Sequence, residues 1–399
     1  MKVKHRRLLL LLSLLIVGVI ALSGCTQSVG VARGWAGATV EDSTLFFGTM
    51  SGRIVALDIS NGNLDPIGVP VKVEMDRSGA GLTCVPTTCA GPRTTAVPFY
   101  GSPVITGKED EKLVFIGGYD SKVRALLFEG NSLRSEPRWI SRSDDISGSI
   151  VGGLTVVGNT VYFGTSAGMV YALDTVDGHK MNVEFQAGDK IWSTPVIDGD
   201  TLYIGCFDGN LYALNTADLS EKWHFETGGA IIATAVVYEN KVFIGSFDRH
   251  VYAVDVATGN QLWKFPANDD AEDRPGSWFW ARPLVQDGVL YAPCIDGRVY
   301  ALNTSTGEKV MDFDLGNRVS SSPVLVGNLV VIATQNGTIY TLDTATNRLH
   351  QLATLEQNEK VYAPLVASEG IVYIHTTRDN LYALGAESGS RRKFNLSGE

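Results

Sequence analysis

The sequence is poor in the residues that usually carry catalysis or bind metals. Its 399 residues include only 6 histidines, 5 cysteines and 14 prolines. No vicinal Cys-Cys pair and no Cys-x-x-Cys-His is present, so covalent haem attachment is excluded. His179, His224, His250, His350 and His375 are scattered without a His-x-x-x-His pair, and there is no Gly-x-x-x-x-Gly-Lys-Ser/Thr phosphate loop. Positive charge is also scarce. Lys2, Lys4, Arg6 and Arg7 lie in a leader, and without the first 25 residues 29 basic groups face 43 acidic ones, a net charge of −14. Nucleic-acid binding needs a basic surface and is not expected. With 44% apolar residues there is enough material for a core, which excludes disorder as the main state. Helical periodicity is missing too. In its place stand 43 glycines and 36 aromatics, the composition of short strands joined by many turns.

The leader runs from a basic Met1–Arg7 segment into the apolar stretch Leu8–Leu22, broken only by Ser13 and Gly18. That stretch falls short of the roughly 20 residues of a comfortable membrane span. It ends in Leu22-Ser23-Gly24-Cys25, which resembles the lipobox of bacterial lipoproteins. The resemblance implies a signal peptide over 1–24, diacylation of Cys25 and a lipidated tether over 25–33, with the folded domain over 34–399. Two or more acyl chains, at ~0.8 kcal/mol per buried CH₂, give stable attachment. Thr26 in place of Asp favours the outer membrane if the host has two. An extracytoplasmic, membrane-attached protein is the expectation.

Beyond the leader the chain repeats, and a repeat period decides the fold. An apolar strand, a small residue and an Asp-Gly-like turn lead into Tyr-Ala-Leu-Asp/Asn-Thr and a second turn. The clearest copies surround Tyr212-Ala213-Leu214, Tyr252-Ala253-Val254 and Tyr300-Ala301-Leu302. The central residue of the motif falls at positions 56, 125, 172, 213, 253, 301, 341 and 383. In the fourth copy four short strands are expected, Ile191–Ile197, Thr201–Gly205, Leu211–Asn215 and Lys222–Glu226, with Asp198-Gly199-Asp200 and Asp208-Gly209 as turns. Four strands in about 42 residues make a propeller blade, whose circular closure removes exposed sheet edges. The expected fold is all-β, an eight-bladed β-propeller, with seven blades if the divergent first copy is misassigned.

The copy at Val251–Phe265 ends in Thr258-Gly259 and Leu262-Trp263-Lys264-Phe265, and Lys222-Trp223-His224-Phe225 repeats the ending. This pattern resembles the repeat of the pyrroloquinoline-quinone-like propeller superfamily, and it covers nearly all of the chain from about Gly34 to Leu396. The resemblance implies that Trp139, Trp223 and Trp263 pack between blades, with Val183 and Met311 at equivalent places. The superfamily divides into quinone- and Ca²⁺-dependent dehydrogenases and non-enzymatic scaffolds. The chain is short for the enzymes and lacks their Cys-Cys pair. No catalytic residue, no metal and no cofactor are therefore expected, although a dehydrogenase stays open as an alternative. Among the scaffolds, lipoproteins of the outer-membrane β-barrel assembly machinery are similar in anchor, length and repeats. That likeness implies a monomer that binds protein or peptide partners in the cell envelope. A surface receptor for glycans, or a sensor domain, is a further alternative.

Cys84 and Cys89 lie in the long insertion after the first copy, at a spacing that a disulfide staple can close. Cys206 and Cys294 share one repeat position with Thr165, Ser246, Thr334 and Thr376, and are expected to be free and buried. The run Asn268–Asp273 is expected to be a solvated acidic loop. Insertions at roughly Arg77–Pro98 and Pro266–Ser277 should decorate one face, because links between blades share a rim with the turns joining second and third strands. Three residues before the innermost-strand proline, or its equivalent, stand Trp35, Tyr100, Trp192 and Trp280 in four copies. Val151, Ile232, Ser320 and Val361 stand there in the others. Such aromatics should line the central opening on that face. Together with Trp278, Phe279 and Arg282 they are the candidate partner-binding residues, since rigid aromatics and arginine are the usual anchors.

Overall fold

A computed structural model describes residues 36–60, 64–76, 94–108, 111–142, 144–269, 271 and 274–395. It is an eight-bladed β-propeller, each blade a contiguous antiparallel meander. The blades span 38–72, 104–140, 155–186, 196–226, 236–265, 284–314, 324–354 and 366–395. The divergent first copy forms a blade of its own over 38–72, so the seven-blade alternative falls away. Among the described residues no helix is long and apolar enough to cross a membrane.

The repeat motif has a packing cause. Its central residue lies in the third strand of each blade and pairs across the ladder with a large residue of the second. Ala56 faces Phe46, Ala172 faces Tyr162, Ala213 faces Tyr203, Ala253 faces Phe243 and Ala301 faces Tyr291. A small side chain opposite each ring lets stacked blades interdigitate at interior density. Where the partner shrinks to Val331, the motif residue grows to Thr341. Just beyond the motif residue in blades 4 to 6 the register with the outer strand shifts, a bulge that adds twist.

Tryptophans join one blade to the next. The indole N–H of Trp139 donates to Thr175 O (2.9 Å), that of Trp223 to Val256 O (3.0 Å) and that of Trp263 to Thr304 O (3.0 Å). Each acceptor belongs to the turn after the third strand of the following blade. Gly178, Gly259 and Gly307 in those turns have positive φ and lie flat against the indole, where a Cβ would meet ring atoms at 2.3, 2.7 and 2.6 Å. Only glycine suits both the backbone and the contact. Val183 and Met311 fill the equivalent interfaces with apolar contact alone.

Blades 4, 5 and 6 share a second device. Asp208, Asp248 and Asp296 each accept the tyrosine O–H of the same blade (Tyr212, Tyr252 and Tyr300, all 2.7 Å). The same carboxylate oxygen accepts a backbone N–H from the incoming interblade link, at Gly188, Gly228 or Gly276 (2.9, 2.8 and 2.9 Å). One buried-edge carboxylate thus fastens the link to the turn.

Two expectations about strands need correction. The innermost strand of blade 4 is Val196–Asp198, not Ile191–Ile197. Pro195 has no N–H to offer a ladder. In place of backbone pairing, Ser193 Oγ donates to Gly205 O (2.7 Å) and accepts from Gly205 N–H (2.9 Å). Blade 1 has its outer edge split into two short strands, Asp65–Pro66 and Val71–Lys72, both paired with Arg53–Asp58. The insertion after it rises on a two-stranded ribbon, Glu74–Asp76 with Thr94–Ala96. Cys84 and Cys89 lie outside the described residues, as do the leader with Cys25 and half of the Asn268–Asp273 run.

Candidate functional site

The turns joining second and third strands run beside the interblade links, held by backbone N–H donation from Tyr119 to Pro98 O, Phe207 to Lys190 O, Phe247 to Ala230 O and Ile295 to Trp278 O. One face of the propeller therefore carries both sets of loops. At its centre a cavity of about 100 Å³ opens. Tyr100, Trp192 and Trp280 line it, with Val151, Ile232 and Ser320 from the intervening blades. The positions read from the repeat thus converge on one opening. Trp35 lies outside the described residues.

Three particulars differ from expectation. In blade 8 the lining residue is Tyr362, while Val361 is fully buried. Pro364 stands one residue nearer than the prolines of other blades, so counting back from it lands one place early. The backbone equivalence is seen in Lys360 O, which accepts from Thr377 N–H as Lys190 O accepts from Phe207 N–H. Phe279 is not a surface residue. It is 1% exposed and packed against Gly245 and Tyr300 between blades 5 and 6, because it continues the Ile191–Ile231 series of core positions. Tyr100 lines the opening but is itself mostly buried, its ring 5.5 Å from that of Tyr119.

The rim also holds aromatics that the repeat did not single out. Phe247 stacks on Trp278 (5.3 Å, 29°) and lies 5.9 Å from Trp280. Phe207 meets Trp192 edge to face at 4.8 Å, with Lys190 Nζ 4.1 Å above it. Tyr119, Phe207 and Phe247 occupy one position, between the small residue and the aspartate of the turn. Gly118-Tyr119-Asp120, Cys206-Phe207-Asp208 and Ser246-Phe247-Asp248 would have flagged it, but only the fold places it over the preceding link. Trp278 is 41% exposed, so the Trp278–Phe247–Trp280 stack offers rigid ring surface to solvent.

Arg282 projects into the channel behind the rings. It borders the rim cavity and two adjoining spaces of about 270 and 360 Å³ toward the opposite side. Its side chain keeps solvent contact, yet desolvation by the surrounding walls lowers its pKa.

Other groups read as structural. Cys206 and Cys294 are free and buried; burial pushes the Cys206 thiol up to about 12 and raises that of Cys294 as well. Asp174, Asp177 and His179 bring ligand atoms within 4.8 Å of one another, but Asp174 caps a turn that Asn215, Asp255 and Asn303 cap likewise in other blades. Gly164-Thr165-Ser166-Ala167-Gly168 has the Gly-x-Ser-x-Gly spacing that a hydrolase places on a strand-to-helix elbow. Here it turns between two strands, and Ser166 Oγ accepts the Ser149 N–H at 2.8 Å.

Fold and repeat define the class: an eight-bladed propeller of quinoprotein-type blades with an aromatic rim. Within that class the chain belongs to the family of the outer membrane protein assembly factor BamB, whose model matches residues 181–395. The BamB of Nitrosomonas eutropha is 28% identical over 109 residues, 27% of this chain, a match spanning about a quarter (26%) of that protein. Among solved structures, BamB from Moraxella catarrhalis aligns with a TM-score of 0.61 at 16% identity, over 91% of this chain and 94% of its own. The computationally designed Ika8 protein aligns equally well (0.61, 17%, 91% and 97%). Saccharomyces cerevisiae Sqt1 follows at 0.60 and 17% identity, covering 70% and 81%. Identities this low speak to fold.

Proposed function

We propose that this chain is a non-catalytic scaffold, anchored through a lipid on Cys25 to the extracytoplasmic side of the envelope, which holds protein partners during outer-membrane protein assembly. The observation that carries the proposal is the exposed Trp278–Phe247–Trp280 stack beside the central opening, on a member of an assembly-factor family. Rigid rings bury much area for little entropy and serve as binding anchors. Lys190 over Phe207 adds a cation at the same rim. The test has two arms. Deleting the gene should lower the yield of folded outer-membrane barrels, and Trp278→Ala with Phe247→Ala should reproduce that loss while leaving the propeller folded. Normal barrel levels in the deletion strain would refute the assembly role.

Anchoring is tested by labelling with radioactive palmitate, which the wild type should incorporate and Cys25→Ala should not. The dehydrogenase alternative predicts saturable calorimetric binding of pyrroloquinoline quinone with Ca²⁺ and dye reduction with alcohols or sugars. The scaffold predicts neither. Exposed tryptophan faces also suit sugar rings, and glycan-dependent quenching of tryptophan fluorescence without any effect of unfolded peptides would favour a glycan receptor.

A further inference from the structure

The central opening has an unusual balance of donors and acceptors. Among the described residues lining the rim cavity, Arg282 is the single charged one. Its guanidinium makes no hydrogen bond or ion pair among the described residues; only its backbone N–H is engaged, donating to Ser322 Oγ at 3.1 Å. Two further lining residues carry donors without partners. The indole N–H of Trp192 is buried and unbonded, and so is the hydroxyl of Ser320, a residue 4% exposed. Thr194 Oγ1 accepts the Gly153 N–H, which leaves its own proton to donate. The acid bordering the channel farther in, Glu41, lies 3.7 Å from Lys112 Nζ.

Buried donors left unsatisfied cost free energy and are normally paired, and the exposed Arg282 supplies a free cation on the same cavity wall. An anion on the Arg282 guanidinium would lie in the cavity that Trp192 and Ser320 also line. The planar guanidinium matches a carboxylate in two-point geometry, and the rings of Trp192 and Trp280 would flank whatever apolar group it carries.

We propose that the central opening is a carboxylate-binding site, in which Arg282 holds the anion and the Trp192 indole N–H and the Ser320 hydroxyl complete its hydrogen bonds. The carboxylate belongs either to a small free acid or to the C-terminal end of a polypeptide. The site does not depend on the assembly role, and either could fail alone.

The test is calorimetric titration of the full chain in detergent micelles with three probes: phenylacetate, N-acetyl-Gly-Phe with a free carboxylate, and its C-terminal amide. Both acids should bind saturably and the amide should not. Arg282→Met should weaken acid binding by about tenfold or more, as expected for loss of a charged, two-point contact. Arg282→Lys should recover part of it. Ser320→Ala, a small change at a buried hydroxyl, is a second variant expected to weaken acid binding by a few-fold with the fold intact by circular dichroism. Binding of phenylacetate alone would assign a small free acid, and binding of the peptide acid alone or of both would extend the site to chain ends. Equal binding of acid and amide would overturn the proposal. So would unchanged affinity in a folded Arg282→Met variant, or no saturable binding of any probe at up to about 10 mM.

Discussion

Blades 4 to 6 and blade 8 solve the same problem with different side chains. In the regular blades the acid sits on the turn, as Asp208, Asp248 or Asp296, and reaches the link's backbone and the blade's own tyrosine. In blade 8 the corresponding turn residue is Arg378, and the acid has moved to the link. Buried Glu359 accepts from Asn380 Nδ2 at 2.5 Å and from the Tyr382 O–H at 3.3 Å. At the seam between blades 8 and 1, no strand among the described residues is shared between the two ends of the chain. Among the described residues, Ala38–Glu41 lies beside Val366–Ser368 and the apolar contact of Leu45, Phe47 and Leu57 with Tyr373 and Leu381 closes the ring. His375 Nδ1 adds a hydrogen bond to Ala36 O at 2.8 Å. The difference teaches that a repeat conserves an interaction's geometry where neighbours are alike. Where the turn offers Arg378 in place of an acid, the link supplies the carboxylate instead.

The largest expected effect tests the regular part. Trp263→Ala removes an interblade ring and leaves Thr304 O without its donor, and should cost about 3–5 kcal/mol in denaturant unfolding. Trp278→Ala, on the same face but exposed, should stay within about 0.5 kcal/mol while abolishing partner capture. Equal costs would erase the distinction between interblade and rim tryptophans.

Next comes Asp208→Asn, expected to lose roughly 1–3 kcal/mol, because the amide oxygen is a weaker acceptor than the carboxylate and its NH₂ opposes a donor. Burial alone would raise the Asp208 pKa, but donation from Tyr212 O–H, Asn210 N–H and Gly188 N–H outweighs it and holds the carboxyl below the usual range. A folded pKa below the unfolded value of about 3.9 means that this stabilisation is full above that pH and is lost as pH falls through the folded pKa. Acid unfolding curves should therefore separate wild type from Asp208→Asn near neutrality and converge in strong acid.

Asn380→Ala should cost about 1–3 kcal/mol by leaving buried Glu359 short of a donor. Its signature is local: amide hydrogen exchange should rise in blades 7 and 8 while blades 4 to 6 keep their protection. Uniform acceleration would mean that the Glu359 link does not act locally. The smallest effect concerns Cys206 and Cys294. With thiols pushed up by burial, both should resist an exposed-thiol reagent in the native state and react together on unfolding.

Local pattern alone carried much of this. The eight copies were legible because each blade needs a small residue opposite a large ring at the same place, and a turn after it at the same spacing. The Tyr100, Trp192 and Trp280 positions were legible for the same reason, being offsets within a repeat. Tyr362 was missed because one residue fewer separates it from Pro364, and no rule of spacing shows which of two neighbours turns inward. Phe279 was misjudged on composition: adjacent to Trp278 and Trp280, it points the other way, since successive residues of an extended chain alternate faces. The tertiary fold sets Phe247 over Trp278, gathers Arg282, Trp192 and Ser320 from three blades into one opening, and brings Glu359 of the link to Asn380 and Tyr382. Those groupings join residues about 20 to 130 positions apart. Their distances depend on how many blades close the ring and how each twists, and both follow from packing summed over the whole chain, which no single stretch of sequence contains.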